Sequence, residues 1–346
     1  MRSIQRLKRG AMLTVALGAT LAVSSVGALA QDATPAPYTP GTDLGSLSGS
    51  IAADGSSTVG PITQAVAEEF TKQASGVQVK VDISGTGGGF KRFCNGETDV
   101  QDASRPIKDP DEVKACADKG IKYFEYEVAY DGVTLVVNSA NDFIDCMTVD
   151  QLKQLWQKDS TVKTWKDLNP DWPDKEVSLY GPGTDSGTFD YFTEVINGEQ
   201  GVSREDYTPS EDDNVLVEGV AGDENALGYF GFAYYANNTD KLKAVKVDNG
   251  NGCVGPSKDT IRDSSYAPLS RPLFIYINAD SLASKPQVQE FLRFYIASAP
   301  ALVDDVGFVD APTDIYVKDQ KKVEDSISGA IQPDGPGASA SPAATP

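Results

Sequence analysis

Two rhythms of apolar residues alternate along this chain. Residues 77–83 place valine or isoleucine at every second position, the period of a strand with one buried face, whereas Ile62, Val66 and Phe70 recur at the spacing of a helix face. Read this way, the chain begins with a strand at 51–53, a helix at 62–74, a strand at 77–83 and a short helix at 88–95. A strand at 98–103 follows, which Pro106 stops. Next come a helix at 109–119 and two strands within 121–138, divided at the turn-favouring pair Asp131-Gly132. A helix at 148–156 has Thr148 as its cap, and a strand at 176–180 runs through a Gly-rich turn into another helix. A helix at 213–221 precedes an aromatic stretch at 227–235, whose simplest role is core packing. Strands at 242–247 and 272–278 and helices at 285–298 and 314–328 complete the pattern. Such regular alternation of strands and helices predicts an α/β fold with a parallel sheet.

Both ends depart from these rhythms. Arg2, Arg6, Lys8 and Arg9 precede an apolar run at 11–26 that ends in Ala28-Leu29-Ala30, the pattern of a secretory signal peptide cleaved after Ala30. A retained membrane anchor is the competing reading, but Gly18, Thr20, Ser24 and Ser25 dilute the run. Residues 31–46 read as a flexible leader, and the Gly-, Ser-, Pro- and Ala-rich residues 331–346 as a disordered tail.

Charge narrows the partners. The 346 residues carry a net charge of −20, and loss of the four basic residues of the signal leaves the exported chain at −24. Nucleic acid and anionic membrane surfaces need a basic footprint and are excluded, and nothing in the pattern calls for self-association beyond a monomer. A small anion is not excluded, because distant surface charge is screened over about 8–10 Å. The chain has no histidine, which removes Ser-His and Cys-His catalysis and His-ligated metal sites, so neither metal nor cofactor is expected. Its four cysteines suggest two disulfides in an oxidising compartment, with three possible pairings. Cys94 and Cys116 flank one compact unit, so Cys94–Cys116 with Cys146–Cys253 is the expected arrangement.

What remains is a set of hydroxyl- and glycine-rich turns, each leading into a helix. They are Asp54-Gly-Ser-Ser-Thr-Val-Gly-Pro61, Ser84-Gly-Thr-Gly-Gly-Gly-Phe-Lys-Arg-Phe93 and Tyr180-Gly-Pro-Gly-Thr-Asp-Ser-Gly-Thr188. Helix starts carry N–H groups without intrahelical partners and so favour anions. Ser57, Thr58 and the Val59 amide form one donor group, Thr86 and the Gly87 amide a second, and Ser186, Gly187 and Thr188 a third. Arg105 supplies the one fixed positive charge. Any one such turn is more often a plain cap; the repetition at strand ends is the informative feature.

Together, 55–59, 84–93, Asp102-Ala-Ser-Arg-Pro-Ile107 and Gly183-Thr-Asp-Ser-Gly-Thr-Phe189 resemble, in order, the motifs of the phosphate-binding proteins of ABC transporters, the PstS family. The resemblance implies an α/β, two-lobed periplasmic-binding-protein fold of type II (a Venus flytrap) with two mixed sheets flanked by helices and a two-strand hinge. One lobe would comprise 47–131 and 268–330, the other 132–267. It implies an exported receptor, periplasmic or on the cell surface, that binds inorganic phosphate and delivers it to a membrane permease without catalysis. Two departures stand out: the family's best-known branch has an aspartate where this chain has Arg105 and an arginine where it has Pro182, so the charge moves from one loop to the other, the Ser-Arg form of other branches. The carboxylate that would accept a phosphate proton is therefore reassigned to Asp185, with Asp102 and Asp54 behind it, although Asp185 could equally be an N-cap. The rivals are a receptor for another tetrahedral oxyanion, such as sulfate or molybdate, and a secreted phosphatase.

Overall fold

The computed structural model describes residues 34–107 and 109–335. The expected signal peptide and most of the expected tail lie outside the described residues. The strands are β1 (Gly49–Gly55), β2 (Val77–Ile83), β3 (Val100–Ala103), β4 (Tyr123–Asn138), β5 (Cys146–Thr148), β6 (Ser178–Pro182) and β7 (Thr208–Ser210). They continue with β8 (Ala226–Gly231), β9 (Leu242–Ala244), β10 (Lys246–Asp248), β11 (Cys253–Val254), β12 (Ser270–Asn278) and β13 (Val309–Asp310).

The main sheet runs in the order β2-β1-β3-β12-β4-β8-β6-β7, and a small sheet in the order β11-β10-β5. β1 is parallel to β2 and β3, as the strand–helix alternation requires. β12 is antiparallel to both β3 and β4, so the sheet is mixed rather than parallel. Its run of buried residues from Leu273 to Asn278 suits a strand enclosed on both faces.

The two strands expected within 121–138 are one. β4 pairs with β12 from Tyr123 to Gly132 and then with β8 from Val133 to Val137, carrying the chain from one half of the sheet into the other. The Asp131-Gly132 pair is no turn here. A Cβ on Gly132 would lie 2.4 Å from Ile261 Cδ1, so glycine answers a close approach, and the Asp131 carboxylate is held by Arg271. The strand expected at 242–247 is likewise divided, β9 joining β4 and β10 joining the small sheet.

Helices cover both halves. α1 (Gly60–Gln73) packs Phe70 edge-on against Phe291 of the helix Pro286–Asp305. α2 (Thr86–Phe93) starts two residues earlier than its apolar period suggests, and α3 (Pro110–Lys119) is capped by Asp109 and ended by Gly120 at φ 68°. The Thr148 cap is completed by Gln151 in a reciprocal capping box. The aromatic stretch is core: Tyr229 and Phe230 are fully buried, and Tyr229 stacks on Phe192. The disulfides are Cys94–Cys116 and Cys146–Cys253, the expected pairing.

The leader is not free from residue 34 onward. Ala36 exchanges hydrogen bonds with Gln320, and the Tyr38 hydroxyl donates to Glu290 Oε2 at 3.0 Å while its ring meets Phe294 edge-on. Glu290 is buried and needs donors, which a composition-based reading of the leader could not foresee. The start of the expected tail is also tied down, since Asp334 and Tyr123 exchange backbone hydrogen bonds. Among the described residues no helix is long and apolar enough to cross a membrane.

Candidate functional site

Because β1, β2 and β3 are parallel neighbours, their C-terminal ends lie along one edge, and the loops that leave them are the first turn, the second turn and Ser104-Arg105. β6 in the other half of the sheet ends in the third turn. Between these loops lies a cavity of about 480 Å³, whose wall includes Ser57, Thr58, Thr86, Gly87, Arg105 and Gly187. A smaller cavity of about 270 Å³ adjoins the same turns and is lined by Asp185, Ser186 and Thr188 as well as Ser57, Thr58 and Gly187.

The first and third turns face each other closely. A Cβ built on Gly187 would lie 2.7 Å from Thr58 Oγ1, 2.9 Å from Ser57 Oγ and 3.0 Å from the Thr58 amide nitrogen. Glycine lets the third turn approach two hydroxyls closely, while the Thr58 amide beside them donates to Ser56 Oγ at 3.1 Å. The Thr58 hydroxyl accepts from Arg271 Nη2 at 2.9 Å, which leaves its own proton to donate. Val59 sits apart: it is fully buried, and its amide reaches Ser56 Oγ at 3.4 Å.

In the second turn, Gly85 holds φ 76°, a conformation that suits glycine, and has no side chain to cap α2. Thr86 Oγ1 accepts from the Ser104 amide at 3.1 Å and lies 3.0 Å from Ser104 Oγ, so these hydroxyls form one donor group. In the third turn the N-cap is Ser186, whose Oγ accepts from the Thr188 amide at 3.2 Å. Asp185 is exposed and caps nothing; the short Ser side chain one residue nearer the helix has the better reach.

Two arginines reach the larger cavity, not one. Arg105 forms a two-pronged pair with Glu112 at 2.7 and 2.9 Å and is about 39% exposed. Arg271 on β12 is better enclosed, at 12% exposure, and pairs with the buried Asp131. Its guanidinium lies 3.6 Å from the centre of the Tyr191 ring. The sequence offered a signal for Arg271, a charge at the start of a strongly apolar strand, but reading the strand from Pro272 passed over it.

A family model described as a PBP superfamily domain matches residues 38–299. Phosphate-binding protein PstS of Staphylococcus saprophyticus is 43% identical over 315 residues, covering 91% of this chain and 93% of that protein. This chain belongs to the PstS family. The SphX protein of Synechocystis sp. is 49% identical over 269 residues, covering 77% of this chain and 80% of its own length. A solved structure, a possible phosphate binding protein from Planctomyces limnophilus, is 49% identical with a TM-score of 0.78, covering 81% of this chain and 99% of that one. The fold is the type II periplasmic-binding-protein fold of that family.

Within this PstS frame the three carboxylates singled out from sequence stand apart from the larger cavity. Asp54 is buried and occupied, accepting from the Gly55 amide, Ser84 Oγ and Arg92 Nη1. Asp102 is also buried; one oxygen accepts from Thr63 Oγ1 at 2.7 Å, the other has no partner among the described residues, and burial pushes the group up to about 7. Asp185 borders only the smaller cavity. The carboxylates on the wall of the larger one are Asp190 and Glu194, which no motif marked. Burial raises Asp190 above the ordinary carboxylate range, opposed by a hydrogen bond from Gln200 and by Arg271.

Proposed function

We propose that this chain is an exported receptor that binds inorganic phosphate in the larger cavity and delivers it to an ABC import permease, without turning it over. The observation that carries the proposal is the convergence at Gly187, where the Ser57 and Thr58 hydroxyls meet the third turn on the wall of a cavity that two arginines also line. Hydroxyls and amides at fixed directions suit a tetrahedral oxyanion, and guanidinium groups add planar donors. Relatives at 43% and 49% identity lend support, the first of them named as phosphate-binding. The site residues in this reading are Ser57, Thr58, Thr86, Gly87, Arg105, Ser186, Gly187 and Thr188, with Val59 and Asp185 in supporting positions.

The two lobes of this reading are 47–131 with 268–330, and 132–267, hinged where β4 passes from β12 to β8 and where the chain returns ahead of β12. Closure around the anion would strengthen each hydrogen bond by excluding water and would give a permease a distinct shape to recognise. The test is calorimetric titration of phosphate-free protein with phosphate, arsenate and sulfate, alongside solution scattering. Phosphate should bind in preference to sulfate and reduce the radius of gyration. Absence of heat with phosphate would refute the receptor reading.

A further inference from the structure

We propose that Arg271 is an anion-binding residue of this cleft and the group through which a bound anion is tied to both halves of the sheet. The proposal rests on the phosphate-receptor reading above and names a residue that lies in none of the Gly-rich motifs.

Four contacts fix the guanidinium. Nε and Nη2 donate to Asp131 Oδ2 at 3.2 and 3.1 Å, Nη2 also donates to Thr58 Oγ1 at 2.9 Å, and the plane lies over the Tyr191 ring. Tyr191 is itself held, its hydroxyl donating to the Pro268 carbonyl at 2.6 Å, three residues before Arg271. The Nη1 amino group has no partner among the described residues, although the side chain lines the cavity and is only 12% exposed. A guanidinium held by three of its donors, with the Nη1 amino group unmatched, is prepared to donate from Nη1 to an anion's oxygens at little entropic cost.

Placement adds the second half of the argument. Arg271 and Asp131 are register partners on β12 and β4, at the end of the stretch where these strands pair. Thr58 belongs to the first turn, and Tyr191 to the helix that the third turn begins. Arg271 is therefore in contact with both walls of the cleft and with the strand that joins them. By comparison, Arg105 has both terminal nitrogens on Glu112 and touches the first half alone.

The alternative is that Arg271 only neutralises Asp131, which is 2% exposed and would be stranded without it. A pair of variants separates the two roles. Arg271→Met should weaken phosphate binding about 100-fold or more in calorimetry, but this variant alone also leaves a buried carboxylate unpaired. The double variant Asp131→Asn with Arg271→Met removes both charges. It should recover the thermal stability of the ligand-free protein while remaining at least about 30-fold weaker for phosphate. If the double variant binds phosphate within about threefold of wild type, Arg271 is a structural counter-ion and the proposal falls, with the receptor reading intact. If wild type itself gives no heat with phosphate, the receptor reading falls and takes this assignment with it.

Discussion

Gly187→Ala is the sharpest perturbation this cleft offers. The new methyl would enter a space with Thr58 Oγ1 at 2.7 Å, Ser57 Oγ at 2.9 Å and the Thr58 nitrogen at 3.0 Å, all inside carbon's contact distance. It would occupy the ground where two hydroxyl donors converge, or push apart the two walls that carry them. Each buried hydrogen-bonding partner left unmet costs about 1–3 kcal/mol. Losing both hydroxyls therefore costs about 2–6 kcal/mol, a loss of affinity from about thirtyfold to beyond a thousandfold. Gly187 is not at a positive φ, so the backbone itself admits alanine, and the cost to the fold is that of moving the Ser57 and Thr58 side chains aside. Calorimetry with phosphate, paired with thermal unfolding of the ligand-free protein, reads the two effects separately. Binding within about threefold of wild type in a normally folded Gly187→Ala protein would refute the convergence of these donors on the anion.

Arg105→Ala should weaken phosphate binding more than Thr58→Val, for which about 1–3 kcal/mol is expected, and titration of both checks the order. Asp190→Asn should narrow the preference for phosphate over sulfate, since only phosphate brings a proton to a carboxylate on the cavity wall, whereas exposed Asp185→Asn should leave the affinity ratio unchanged. Asp102, at about 7 when folded and near 4 when unfolded, holds its proton only in the native state between those values. Its contribution to stability is complete below about pH 4 and lost as pH rises through about 7, roughly 1.4 kcal/mol per unit over that window. Asp102→Asn should accordingly flatten the fall in urea-unfolding free energy between pH 5 and pH 7.

Much of the fold was legible because its signals are local. Thr148 as a cap and the glycine turns at strand ends each act over three or four residues, and each sits where the pattern places it. What escaped depends on partners distant in sequence. Asp131-Gly132 has turn chemistry, yet Ile261 and Arg271, over a hundred residues away, hold it in a straight strand. Ser186 rather than Asp185 caps the helix that follows the third turn, a difference of one residue that composition cannot decide. Asp190 and Glu194 carry no motif, because they reach the cavity only through the winding of a helix against the opposite wall.

The position of β12 bears on how the molecule comes into being. Residues 49–103 supply three parallel strands, but the exposed edge of β3 finds its partner only at 274–277, and β12 is also what joins β3 to β4. A chain emerging from its N-terminus, whether from a ribosome or a translocation pore, thus carries an unfinished sheet until nearly four-fifths of its length has appeared. The strands β5 to β11, by contrast, find all their partners within residues 133–254. Distant pairings are slow to form because a long loop must first be closed. The middle of the chain is accordingly expected to complete its pairings before β12 closes the edge that β3 leaves open.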